Sequence, residues 1–136
     1  MIYELYKKVI NINMKRKTAA VLLAVILLTG CSQLRSAYRN VSLYRAYKMI
    51  NEDDTVIIDS RKVSEYDSGH IPGAICIPDE MIADLAEGLL QDKDQTIIVY
   101  GSSDDRSREA AEKLAELGFT KINVFGGLNS WPYDLA

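Results

Sequence analysis

Short apolar segments alternate with segments of helical periodicity, and this alternation constrains the fold more than any other feature of the chain. The apolar segments are TVIID, AICIP, TIIVY and KINVF, which are short and rich in residues that favour strands. Between them lie LYRAYKMI, PDEMIADLAEGLL and RSREAAEKLAELG. Apolar strands separated by helices predict a parallel sheet with helices on both faces. We therefore expect an α/β fold whose ligand site lies beyond the carboxyl ends of the strands.

The helical periodicity also predicts an apolar face for each helix. These faces comprise Leu43, Ala46, Tyr47 and Ile50 in the first helix, Met81, Leu85 and Leu89 in the second, and Ala110, Leu114 and Leu117 in the third. Pro78 and the acids after it are typical of a helix start. Gly118 is typical of a helix end.

The segment MKRKTAAVLLAVILLTGC, which begins at Met14, has a basic start followed by an apolar run from Ala19 to Leu28. Ten residues make a helix of about 15 Å, which is half of what a bilayer core requires. The segment therefore has the form of a signal peptide. Its last four residues, Leu28 to Cys31, resemble the lipobox of bacterial lipoproteins.

This resemblance implies cleavage before Cys31, acylation of its thiol, and retention of the mature chain on the extracytoplasmic face of a bacterial cell membrane. We expect residues 1–30 to be the signal peptide, with translation starting at Met14. Residues 31–39 would form the lipidated cysteine and a tether, and residues 40–136 a single domain. Lipidation would leave Cys76 as the one free thiol, so we expect no disulfide within the chain.

Residues 31–136 contain 11 basic and 18 acidic residues. This balance argues against nucleic-acid binding, which depends on basic surfaces. The residue patterns give no reason to expect a bound metal or a cofactor.

The segment DSRKVSEYDSGHIPGAICIP, from Asp59 to Pro78, resembles the first signature of the rhodanese family. A second region also fits that family: TIIVY, the six-residue loop GSSDDR, a helix ending in LGF, and INVFGGLNSW. The resemblance extends over about residues 38–131. It implies a single rhodanese-like domain with a parallel sheet between helices.

Four residues of the first signature have side chains that suit a structural role. Asp59, Arg61 and Glu65 are spaced to form a charged hydrogen-bond cluster, in which Arg61 could bind a carboxylate with two nitrogens. His70 could act as a general base, but its glycine-rich setting favours a hydrogen-bonded structural residue. We find no partner for it of the kind that nucleophilic catalysis requires.

In the rhodanese family, the residue directly after the third strand is the cysteine that accepts sulfur as a persulfide. Here that position is Gly101, so the resemblance implies that the loop has lost its nucleophile. Ser102 and Ser103 offer hydroxyls, which need an adjacent base to attack. Asp104 and Asp105 would either repel an anionic substrate or cap the following helix. Arg106 matches the arginine of the family's loop.

Three hypotheses follow. The first is a membrane-anchored, catalytically inactive domain whose loop, Gly101 to Arg106, binds an unidentified protein or a small anionic ligand. The second is a sulfurtransferase that uses Cys76 or a partner's cysteine, although strand alternation predicts a buried Cys76. The third is that Gly101 replaces a normal cysteine as a variant, which leaves the two aspartates unexplained.

Overall fold

The computed structural model describes residues 37–52 and 54–136, and within them five strands form one sheet. The strands are β1 (Arg39–Asn40), β2 (Thr55–Asp59), β3 (Ile75–Cys76), β4 (Thr96–Tyr100) and β5 (Lys121–Val124). Their spatial order is β1-β5-β4-β2-β3, and every pairing is parallel. The predicted α/β fold with a parallel sheet is confirmed. The predicted signal peptide, Cys31 and most of the tether lie outside the described residues.

Four α-helices connect these strands. They are α1 (Leu43–Ile50), α2 (Val63–Asp67), α3 (Ile82–Leu89) and α4 (Asp104–Glu116), with short 3-10 turns at Asp79–Met81 and Leu128–Ser130. The Ser42 hydroxyl accepts a hydrogen bond from Arg45 N at 3.2 Å and so caps α1. Gly118, with φ +90°, ends the chain's longest described helix as predicted. None of the described helices could span a bilayer.

The sheet separates two hydrophobic clusters, so both of its faces are covered. On one face, α3 and α4 pack on the sheet through Ile82, Ala86, Ala110, Ala111 and Leu114. On the other face, α1 packs through Ala46 and Met49. Strand residues alternate between the two clusters: Ile57 and Ile98 face α1, whereas Ile58 and Ile97 face α3 and α4.

The predicted apolar face of the second helix is wrong. Met81, Leu85 and Leu89 are 42%, 36% and 52% exposed. The helix instead buries the stripe one residue further along, which consists of Ile82, Ala86 and Leu90. Both stripes have the same i, i+4, i+8 spacing, so periodicity alone could not distinguish them.

Three smaller predictions also need correction. Helix α1 buries Met49, whereas Tyr47 is 39% exposed. The strand expected over AICIP is shorter because β3 lies at the sheet edge and Pro78 cannot extend it. Cys76 is half-buried rather than buried. In addition, β1 already begins at Arg39, the last residue assigned to the tether.

Candidate functional site

A polar cleft of about 240 Å³ lies at the carboxyl ends of β2 and β4. This is the edge of the sheet where ligands of parallel α/β folds bind. The cleft is lined by Ser60, Arg61, Lys62, Glu65, Asp79, Glu80, Gly101, Ser102 and Arg106. It therefore combines residues of the first signature with residues of the loop after β4. Ser60, Lys62, Asp79 and Glu80 were not predicted as site residues. Ser60 and Lys62 flank Arg61 in the sequence, whereas only the folded chain brings Asp79 and Glu80 to this edge.

The Asp59 carboxylate and the Arg61 guanidinium form a bidentate ion pair at the end of β2. Arg61 Nη2 lies 2.6 Å from Asp59 Oδ2, and Arg61 Nε lies 3.0 Å from Oδ1. The two side chains are 0% and 8% exposed. Burial acts to lower the pKa of Arg61, but the hydrogen bond and charge of Asp59 outweigh it and raise the pKa. The predicted pairing of Arg61 with a carboxylate is present in the structure.

Tyr100, the last residue of β4, forms a hydrogen bond with the carboxylate of this ion pair. Its hydroxyl donates to Asp59 Oδ2 at 2.8 Å and accepts from Ile71 N at 3.1 Å. Burial raises the pKa of Tyr100 well above its ordinary value, so the hydroxyl remains protonated and able to donate. Sequence reasoning missed this contact, although a polar residue at the end of an apolar strand was a signal for it.

Glu65 and His70 lie beside the ion pair without joining it. Glu65 accepts a hydrogen bond from Lys62 N at 3.2 Å at the start of α2. His70 Nδ1 lies 3.0 Å from Tyr66 O, and its ring stacks on Tyr66 with centroids 3.7 Å apart. The backbone of His70 also pairs with Ala136. Glu65 is thus a helix cap rather than a partner of Arg61, and His70 has structural contacts.

The loop after β4 closes tightly around Gly101, which is buried. Gly101 N donates to Ser107 Oγ at 2.8 Å, and Gly101 O accepts from Leu128 N at 2.9 Å. A Cβ atom at Gly101 would lie 2.9 Å from Arg106 Cβ and 3.1 Å from Ser107 N. Both distances are shorter than ordinary contacts, so any side chain here would require the loop to move.

The buried hydroxyl of Ser107 links the loop to its surroundings. Its oxygen lies 2.8 Å from Gly101 N, 2.9 Å from Ser103 O and 2.6 Å from Gly126 O. Gly127 packs directly against the loop backbone. A Cβ atom at Gly127 would lie 2.6 Å from Ser102 O, so only glycine allows this close approach. Hydrogen bonds between the Ser107 hydroxyl and three backbone groups thus help to define the loop's shape. Sequence reasoning recorded Ser107 only as part of a motif.

Asp104 and Asp105 do not line the cleft. They begin α4, after the N-cap Ser103, and both pair with the Arg108 guanidinium. The interpretation as the first turn of a helix is therefore favoured over direct repulsion of a substrate. Arg106 does line the cleft, with its side chain 62% exposed and 3.6 Å from Glu109.

Cys76 lies in β3 and is absent from the lining of the cleft. Its Sγ is 4.0 Å from Arg61 O. Burial, together with the charges of Asp59 and Asp67, raises the pKa of the Cys76 thiol. A raised pKa disfavours the reactive thiolate at neutral pH. Among the described residues, no group of potential metal ligands comes together.

A family model described as "Rhodanese-like domain" matches residues 42–133. The chain belongs to the rhodanese family. Both signatures identified in the sequence lie within the matched residues. The rhodanese-like domain thus occupies nearly all of the described residues.

Curated relatives span comparable lengths. The domain is 31% identical to an uncharacterized protein of Escherichia coli, YibN, over 112 residues that cover 81% of this chain and 78% of that protein. It is 30% identical to the thiosulfate sulfurtransferase GlpE of Pseudoalteromonas translucida, covering 70% of this chain and 90% of that enzyme.

Solved structures show the same fold. A rhodanese-related protein of Thermoplasma volcanium aligns with a TM-score of 0.63 and 27% identity, covering 73% of this chain and 98% of that one. A structure described as rhodanese with anions, from E. coli, aligns with a TM-score of 0.56 and 30% identity, covering 60% and 96%.

The Asp59→Ala variant tests the importance of the buried ion pair. It removes the partner of Arg61 and an acceptor of Tyr100, so we expect a loss of about 3–5 kcal/mol in the free energy of unfolding. Urea denaturation followed by circular dichroism measures this loss. Glu52→Ala is a matched control because Glu52 pairs with Arg45 at an exposed site, where the loss should stay below about 1 kcal/mol. Equal effects of both variants would contradict the structural role assigned to Asp59.

Proposed function

We propose that this chain is a membrane-anchored, extracytoplasmic rhodanese-like domain that does not form a persulfide and acts as a binding module. Gly101, the residue directly after β4, carries this proposal. The family resemblance places the sulfur-accepting cysteine at this position. In such chemistry a thiolate attacks the outer sulfur of thiosulfate, an S–S bond forms, and sulfite leaves. Glycine has no side-chain atom that can form this bond.

The packing around Gly101 indicates that the loop conformation suits a glycine at this position. Arg106 Cβ and Ser107 N lie within about 3 Å of where a side chain at Gly101 would begin. The conformation is thus adapted to glycine, and a change to cysteine alone would disturb it. This argues against Gly101 as a recent replacement in an otherwise unchanged active loop.

The alternative, a sulfurtransferase that works through Cys76, has less support. Relatives include proteins named thiosulfate sulfurtransferase and a putative sulfur carrier protein, YrkF of Bacillus subtilis. However, Cys76 lies outside the cleft lining and its thiol pKa is raised. Both observations disfavour attack on an anion bound in the cleft.

A small anion is the ligand that the cleft supports best. Lys62 and Arg106 line it together with Gly101 and Ser102 of the loop, and these two cationic side chains favour a negatively charged ligand. A related E. coli rhodanese has been solved with anions. Glu65, Asp79 and Glu80 also line the cleft, and of these Asp79 is paired with Lys113. We therefore expect weak binding unless the ligand, or a protein that carries it, has additional contacts.

The lipid on Cys31 would keep the domain at the membrane. The lipobox-like segment from Leu28 to Cys31 supports this part of the proposal. We expect labelled palmitate to be incorporated into the full chain and into Cys76→Ser, but not into Cys31→Ser. Palmitate retained by Cys31→Ser would contradict the assigned lipid site.

Sulfur transfer from thiosulfate to cyanide tests the proposed inactivity. We expect no thiocyanate above background from the full chain, because the cleft lacks a thiol. Cys76→Ser should behave identically. Activity in the unmodified chain that disappears in Cys76→Ser would contradict the proposal and support the sulfurtransferase alternative.

The Gly101→Cys variant tests the packing argument in the same assay. We expect little or no gain of transfer and a lower melting temperature, because the loop must shift to admit a side chain. Gly101→Ala is the matched control, since it adds the Cβ without a thiol and should lower the melting temperature similarly. Strong transfer by Gly101→Cys, with none by Gly101→Ala, would overturn the packing argument while leaving the missing nucleophile as the cause of inactivity.

A further inference from the structure

The charges of the mature chain are strongly segregated along the sequence. From Cys31 to Asn51 there are four basic residues, namely Arg35, Arg39, Arg45 and Lys48, and no acidic residue. From residue 52 onward there are seven basic and 18 acidic residues. The positive segment includes β1 and α1, which begin the domain. The domain therefore begins with a basic segment, although its net charge is negative.

Helix α1 displays this charge together with exposed aromatic rings. Ala46 and Met49 face the core, while Tyr44 is 63% and Tyr47 39% exposed. Lys48 Nζ lies 5.1 Å from the centre of the Tyr44 ring. The outward side of this eight-residue helix thus presents tyrosines and basic side chains.

The C-terminal segment extends this aromatic surface. Tyr133 stacks on Tyr47 with ring centroids 4.1 Å apart, and Trp131 lies 5.0 Å from Tyr133. Tyr133 is 39% exposed. We call the surface formed by Tyr44, Arg45, Tyr47, Lys48 and Tyr133 the α1 face. Acidic residues adjoin it: Glu52 lies 3.7 Å from Arg45, Asp54 follows in the sequence, and Asp134 follows Tyr133.

We propose that the α1 face lies against an anionic phospholipid bilayer. Tyrosine rings combine an apolar body with a polar tip and suit the headgroup region, and lysine and arginine are attracted to anionic lipids. Seven residues, 32–38, separate Cys31 from β1, a reach of at most about 25 Å. The proposal builds on membrane anchoring through Cys31, since that anchor would hold the start of the domain close to the lipid surface.

The opposite side of the sheet fits this orientation. The segment from Pro78 to Asp92, which includes α3, contains five acidic residues and no basic one. Helices α1 and α3 pack on opposite faces of the sheet. A bilayer that attracts α1 would therefore repel α3 and turn it toward the aqueous phase.

The fluorescence of Trp131, the chain's single tryptophan, tests this proposal. The full chain is placed in phosphatidylcholine vesicles with or without phosphatidylglycerol, with brominated acyl chains as quenchers. We expect strong quenching only with phosphatidylglycerol, and its loss in about 0.5 M NaCl, where screening is short-ranged. Equal emission in both kinds of vesicle would overturn the proposal.

Variants show whether the α1 face causes the quenching. Arg45→Gln with Lys48→Gln should remove at least half of it, because each basic side chain near an anionic surface strengthens the contact about fivefold. Tyr44→Ser should weaken it further. The controls Lys121→Gln and Leu85→Ser alter a basic and an apolar side chain elsewhere and should leave quenching intact. Quenching lost equally in the controls would overturn the assignment to this face.

Two further measurements separate the proposals. Mass spectrometry of the same preparation reports whether Cys31 carries a lipid, so quenching without a lipid would refute the anchor and support the α1 face. A lipid on Cys31 without quenching would support the anchor and refute the membrane contact of the α1 face. Sedimentation of the full chain in detergent detects self-association. A dimer abolished by Tyr44→Ser would show that a second copy covers the face and would overturn the membrane assignment.

Discussion

The fully buried carboxylate of Asp59 is the interaction on which the cleft depends. It terminates β2 and bonds Arg61 and the Tyr100 hydroxyl, while Tyr100 in turn holds Ile71 N. Arg61 Nη2 also donates to Gly69 O at 2.7 Å. One charged group therefore fixes the ends of two neighbouring strands and the glycine-rich turn. A buried charge is tolerated here because each of its oxygens has hydrogen-bond partners.

The loop on the other side of the cleft is held in a different way. Its shape depends on backbone groups gathered around Ser107 and on the close approach of Gly101 and Gly127 to neighbouring backbone. Such a loop needs no nucleophile to keep its form. In this conformation Arg106 lines the cleft beside Gly101 and Ser102.

The order of strands and helices was predictable because short apolar runs and helical repeats have distinct periods. The Asp59 and Arg61 pair was also predictable, since the signature places both at a strand end. The buried face of α3 was not, because Met81 and Ile82 begin stripes with equal spacing and only tertiary packing selects one. Ser107 and Asp79 were missed for a related reason: their roles arise from contacts between elements distant in sequence.

The most direct test of the central claim is intact-protein mass spectrometry after incubation of the full chain with excess thiosulfate. A persulfide would add the mass of one sulfur atom and would be removed by cyanide. Our account predicts no such addition, since Gly101 offers no acceptor and the Cys76 thiol, with its raised pKa, lies outside the cleft. Addition of one cyanide-removable sulfur per chain, mapped to Cys76, would contradict it.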